Sequence, residues 1–139
     1  MKNLEQKDRE QRNLEQLRAA AALKTAPNTS KAAVSKLPAM ILANGLLATA
    51  AFAGEKKKDG KTPKRPEMKA ALDGATEHLA NSDLNFTVLL GAKASEDLIA
   101  KLSAADSHHL QRASAEALAF LGYVKRFTTR EGSEEEGED

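Results

Sequence analysis

Residues 37–53, Leu-Pro-Ala-Met-Ile-Leu-Ala-Asn-Gly-Leu-Leu-Ala-Thr-Ala-Ala-Phe-Ala, carry no charge. A spanning helix needs roughly 20 apolar residues, and this run falls short of that. Asn44 and Gly45 also interrupt it. Ala51-Phe52-Ala53 imitates a signal-peptidase site, but the charged and amphipathic residues 1–36 stand where a short basic leader belongs. A membrane segment is therefore not expected. Pro38 suits the first turn of a helix and disfavours the turn before it. The run predicts a separate helix over 38–53. A helix that is apolar all round is buried on all sides, so this one is expected at the centre of the fold. Gly45 is expected to let a neighbouring helix approach closely.

The rest of the chain supplies helices to pack around it. Residues 3–25 are rich in Glu, Gln, Leu, Arg and Ala and hold neither Gly nor Pro. They predict a helix that Pro27 ends, with Leu4, Leu14, Leu17 and Ala21 on its apolar side. Asn3-Leu4-Glu5-Gln6 recurs at residues 13–16, which is too little to define a repeat. Thr29 or Ser30 caps the next helical stretch. Residues 54–66 hold two Gly, two Pro and six basic residues, the composition of a loop. A helix resumes at 67–80, with Met68, Ala71, Leu72, Ala75 and Leu79 on one side. Residues 81–92 fit a helix better than a strand, since no partner strand is present. Ser95-Glu96-Asp97 opens a short helix to about residue 102.

The last helix, 107–130, with Asp106 or Ser107 as its cap, has the clearest stripe in the chain. Leu110, Ala113, Ala117, Phe120, Leu121 and Val124 fall on one face at helical spacing. The predicted fold class is all-α: a compact bundle of five or six helices around 38–53.

The chain has 139 residues, the size of one domain. Aromatics are only 4% and Ala and Leu supply most of the apolar content, which favours helices over strands. There is no Cys, which excludes disulfides, thiolate nucleophiles and Cys-ligated zinc. Net charge is +1, unevenly laid out. Six acids and no base make residues 131–139 −6, which leaves +7 on residues 1–130. The domain boundary is placed there: a basic helical domain, 1–130, and an acidic tail, 131–139, too charged and too poor in apolar residues to fold and therefore expected to be disordered. A basic domain calls for a polyanionic partner, and the tail is expected to compete with that partner for its basic faces.

Residues able to do chemistry are few. His108 and His109 are adjacent, so they point about 100° apart on a helix rather than sharing a metal at i, i+4. The three His are expected to be exposed or capping. Glu116 stands in the apolar half of the last helix, and Arg112 at i−4 offers it a structural ion pair. Neither GxGxxG nor GxxxxGK[ST] occurs. No catalytic residue, metal or cofactor is expected. Basic residues cluster in three places: Lys56, Lys57, Lys58, Lys61, Lys64 and Arg65; Arg18, Lys24, Lys31 and Lys36; and Arg112, Lys125, Arg126 and Arg130. Aromatics for base stacking are nearly absent, so contact with phosphate backbone is the expected mode. For the 56–65 loop a simply solvated Lys-rich face is an equal reading.

Two blocks carry a family resemblance. Lys36-Leu37-Pro38-Ala39-Met40-Ile41-Leu42-Ala43-Asn44-Gly45-Leu46, continuing to Ala51-Phe52, is similar to the "LPxMIxxNGLxxxxAF" pattern of the small subunit of type III-B CRISPR (Cmr) effector complexes. Residues 115–127, Ala-Glu-Ala-Leu-Ala-Phe-Leu-Gly-Tyr-Val-Lys-Arg-Phe, resemble that family's "EALxxLxWLKRFA" block. Tyr123 stands where the family has Trp, and Thr128 where it has Ala. The 56–65 loop and the acidic tail match no family pattern.

The resemblance implies a non-catalytic, cytoplasmic helical subunit in antiviral defence. Several copies stack beside the guide RNA and its target RNA, with other subunits of the effector complex as partners. RNA cleavage then belongs to the backbone subunits, and DNase and cyclic-nucleotide synthesis to the large subunit. Lys125 and Arg126 lie in the second block, and Lys31 and Lys36 flank the first. These four and Arg18 are the expected RNA contacts. The competing reading of Lys125 and Arg126 is that they favour the negative end of the helix dipole. The competing function is an independent small helical nucleic-acid-binding regulator. Such a protein needs a recognition helix with polar side chains aimed at bases, and the last helix offers mainly small and apolar ones.

Overall fold

A computed structural model describes residues 13–138, with side chains through Thr128. Helix α1, Leu14–Thr25, begins at the second Asn-Leu-Glu-Gln copy. The Asn13 side-chain oxygen accepts from the Gln16 N–H at 2.9 Å, and Gln16 Oε1 accepts from the Asn13 N–H at 2.9 Å. This reciprocal pair satisfies donors that a helix start leaves open. Residues 3–12 of the predicted first helix, with Leu4 and the first copy, lie outside the described residues. A 3₁₀ turn over Ala26–Asn28 holds Pro27 and ends the helix. Ser30 caps α2, Lys31–Asn44, its Oγ accepting from the Ala33 N–H at 3.2 Å. Then come α3, Leu46–Ala53; α4, Pro66–Leu79; α5, Ser95–Ser103; and α6, Ser107–Glu138. Asp106 caps α6 by accepting the His109 N–H at 3.0 Å. Six α-helices and no strand occur among the described residues, in line with the all-α prediction.

The break in the 37–53 run is not where the proline suggested. Pro38 lies inside α2, and the chain turns at Gly45, with φ +95° and ψ 159°. Pro38 removes one helical bond, a loss that the buried face of Val34, Leu37 and Ile41 offsets. Backbone at the angles of Gly45 is open essentially to glycine alone. The junction is well bonded even so: the Gly45 N–H reaches Ile41 O at 2.8 Å, and Gly45 O accepts from Thr49 N at 3.1 Å and Thr49 Oγ1 at 2.8 Å. A side chain at Gly45 would meet nothing, so close packing is not the role of this glycine. That role belongs to Gly74, where a Cβ would run into the Thr25 side chain as α1 crosses α4.

Nor is 37–53 buried all round. Its inward residues are Leu37, Ile41, Leu46, Thr49, Ala50 and Ala53, while Leu42 is 76% exposed. The centre is held by α6 and α4. Helix α6 packs on α1, α2 and α4, and α5 closes the bundle against α3 and α4. Ala113, Ala117, Phe120, Leu121 and Val124 of the predicted stripe are fully buried, and Leu72 and Leu79 face them from the core. Residues 81–92 form two 3₁₀ turns, Ser82–Leu84 and Thr87–Leu89, instead of a helix. Asn85 adopts φ 61° between them, which interrupts helical propagation, while Phe86 and Leu89 still reach the core. Helix α6 continues through residues 131–138 instead of ending at 130.

Two substitutions separate the roles of Pro38 and Gly45. Gly45→Ala is expected to cost about 2 kcal/mol, because it places a side chain at a glycine-only conformation. Pro38→Ala is expected to gain about 2 kcal/mol by restoring a helical bond. Urea midpoints at constant slope would show the opposite shifts. A loss in both variants would mean that α2 needs its proline.

Candidate nucleic-acid interface

The five basic residues singled out from the sequence divide into two groups. Arg18 is on α1 and turns inward. Its Nε donates to Glu116 Oε2 at 2.7 Å and its Nη2 to Glu116 Oε1 at 2.7 Å, a bidentate pair. Lys31 and Lys36 are on α2 and Lys125 and Arg126 on α6, two helices that pack directly on each other. Lys36, Lys125 and Arg126 are exposed and Lys31 is half-buried. The periodicity explains this: Leu121 and Val124 face the core, so 125 and 126 point outward.

Glu116 therefore has an ion pair, but not with its neighbour on the helix. Arg112 instead lies over the Phe86 ring, 5.0 Å from its centroid. The second partner of Glu116 is His78, whose Nε2 is 2.9 Å from Oε2. His78 is buried and not exposed as expected, and it stacks on Phe120 with centroids 5.0 Å apart. This site was missed because its three members come from α1, α4 and α6, up to 98 positions apart. The one available signal was an acid inside an apolar stripe. Burial opposes the charged form of Glu116, but the hydrogen bonds from Arg18 and His78 outweigh it and hold the carboxyl at about 2.

A groove of about 470 Å³ runs between α1 and α4, lined by Leu17, Ala21, Lys24, Asp73, Glu77 and His78 among others. Its titratable groups are partly engaged elsewhere. Asp73 binds Lys69 Nζ at 3.1 Å and accepts the Ser95 N–H at 2.8 Å. Lys69 also reaches Glu96 at 3.1 Å, which ties α4 to α5. Among the described residues no group of three or more His, Asp or Glu is placed to hold a metal. No helix among them is long and apolar enough to cross a membrane.

The outer side of α2 has a different character. Lys36, Ala39, Leu42 and Ala43 are exposed along it. They are spaced at 3, 3 and 1, so they share one face. Leu42 is the most exposed large apolar side chain among the described residues.

The described residues thus form a small all-α domain, with paired charges inside and lysines and an apolar strip outside. The family model for CRISPR-associated protein (Cas_Cmr5) matches residues 5–131, and the chain belongs to that family. It is the small subunit of a CRISPR-associated Cmr complex of type III-B. Both blocks quoted above lie within the matched span, one on α2 and α3 and one on α6. No curated protein and no solved structure matches the chain.

Glu116→Gln is expected to destabilise the fold by about 3 kcal/mol at pH 7, because it breaks a buried pair and leaves Arg18 without its counter-charge. The carboxyl lies lower in the folded state than its ordinary value of 4.5. Its contribution is therefore complete above pH 4.5 and is lost as pH falls towards 2. Denaturant midpoints of the wild type should drop across that window, and those of Glu116→Gln should drop less. Equal acid profiles would remove the pair from its central place.

Proposed function

We propose that this chain is a non-catalytic structural subunit that stacks in several copies along the guide–target duplex of its complex. It contacts RNA backbone through Lys31, Lys36, Lys125 and Arg126 and serves antiviral defence in the cytoplasm. Arg18 supports this surface by fixing α1 on α6, and its remaining Nη1 is the group left to reach RNA. Residues 1–130 act as the binding domain, and 131–139 as an acidic appendage that competes for the basic faces. Its partners are other subunits, further copies of itself, guide RNA and target RNA.

One observation carries this reading: the outer face of α2, with Leu42 76% exposed in the first family block. Lys36 shares this face, so subunit contact and phosphate contact can occur side by side. Such contacts are sequence-independent, which suits a subunit that must serve any guide.

The test is co-expression of the tagged protein with the other type III-B subunits and a guide RNA, followed by the mass and stoichiometry of the eluted particle. More than one copy in a guide-containing particle is expected. Leu42→Asp should keep the fold, since the side chain is already in water, and should lower the copy number. Elution alone, with the remaining subunits assembling normally, would overturn the reading in favour of an independent nucleic-acid binder.

A further inference from the structure

The basic turn between α3 and α4 belongs to neither block of the family pattern, and its geometry is not that of a loose linker. Its base is closed by backbone bonds from Lys57 N to Thr62 O at 2.8 Å and from Lys64 N to Glu55 O at 2.9 Å, with a single antiparallel bridge between Lys56 and Pro63. Its tip is held by Asp59. One carboxylate oxygen accepts from Lys61 N and Thr62 N, both at 2.8 Å, and the other from the Thr62 hydroxyl at 2.5 Å. Gly60, at φ +73°, lets the chain reverse there. At the far end Arg65 lies 3.6 Å over the Phe52 ring, donates to Phe52 O at 3.0 Å and pairs with Glu55 at 2.8 Å.

These bonds sort the charges. Both acids of the turn are engaged, Glu55 by Arg65 and Asp59 by the tip. The Thr62 hydroxyl first, then the Thr62 and Lys61 N–H groups, bring Asp59 down to about 2. Arg65 is engaged as well. Lys56, Lys57, Lys58, Lys61 and Lys64 are all exposed, and none closes an ion pair among the described residues. Lys56 faces a carboxylate only at long range, in Glu96.

We propose that residues 55–65 form a pre-organised contact for nucleic-acid phosphate backbone, additional to the α2 and α6 surface. Five ammonium groups on a fixed turn meet phosphates without first breaking a pair or ordering a loop, which removes two costs of binding. The turn exposes no aromatic side chain for stacking on bases, because Arg65 covers the Phe52 ring. Contact is therefore sequence-independent. An acidic protein segment is the weaker fit. Protein partners need a central buried anchor, and this turn presents no exposed apolar side chain to supply one.

This inference deepens the RNA-contacting part of the proposed function but is tested without the complex. The isolated full-length protein is titrated with a fluorescent 20-nucleotide poly(U) RNA over a range of salt. Lys57→Gln, Lys58→Gln, Lys61→Gln and Lys64→Gln combined should weaken binding roughly tenfold or more at low salt. The log–log salt slope should become shallower by about 3 for four lost contacts. Asp59→Ala separates geometry from charge: it removes one negative charge but frees the tip, and weaker binding is expected. Unchanged affinity and slope in the quadruple variant would overturn the site. Tighter binding by Asp59→Ala would overturn pre-organisation. Displacement of the RNA by polyglutamate of equal charge and concentration would overturn the phosphate assignment in favour of an acidic peptide, such as residues 131–139. Failure here leaves the co-purification result untouched. A protein absent from the particle whose turn still binds poly(U) would instead sink the subunit reading alone.

Discussion

One carboxylate joins three of the six helices. Glu116 on α6 takes both fork hydrogens of Arg18 from α1 and the Nε2 of His78 from α4. A buried charge with one partner missing is far costlier than an exposed one, so this triad forms only when α1, α4 and α6 are docked together. The apolar stripe of α6, fully buried from Ala113 to Val124, supplies the driving force. The directional bonds of Glu116 to Arg18 and His78 are satisfied at one relative placement of the three helices. Glu116 also orients His78, whose ring then stacks on Phe120 in the middle of the core. The close crossing of α1 over α4 at Gly74 and Thr25 follows from the same docking.

Periodicity made most helices legible, because a helical face is a local property of a dozen residues. The stripe from Ala113 to Val124 is buried as read, and α4, α5 and the capping of α2 and α6 fall where spacing and cap residues place them. What was not legible depends on partners remote in the chain. Arg112 at i−4 was the obvious partner for Glu116, yet Arg18 and His78 hold it, 98 and 38 positions away. The break at Gly45 was misplaced for a related reason. Pro38 announces its cost locally, whereas the packing of Val34, Leu37 and Ile41 that offsets it is tertiary. The family blocks were readable, but the ordered 55–65 turn was not, since composition reports charge and says nothing of the bonds that Asp59 makes.

The turn at Gly45 also shapes the surface. A continuous 38–53 helix would have presented a single uncharged cylinder that had to be covered on all sides. Splitting it lets α2 bury Val34, Leu37 and Ile41 and α3 bury Leu46, Ala50 and Ala53, on two differently directed faces. The remainder, Ala39, Leu42 and Ala43, is left outside as a narrow strip beside Lys36. An uncharged run that looked like core is therefore half core and half surface. That division gives the first family block a buried face and an exposed apolar face within the same turns of helix.

Charge is sorted by the same logic. Glu55, Asp73, Glu96 and Glu116 are held by Arg65, Lys69 and Arg18, while Asp59, Asp97 and Asp106 turn onto backbone N–H groups at a turn tip and two helix starts. Acids at helix starts meet the positive end of the dipole, so they are stabilised without a basic side chain. Acids thus bind the fold to itself, and several lysines need no local carboxylate. A chain whose formal charge is only +1 then offers exposed ammonium groups at Lys36 and on the 55–65 turn. For a partner such as a phosphate backbone, which reads accessible positive charge rather than net charge, that arrangement matters more than the overall balance of acids and bases.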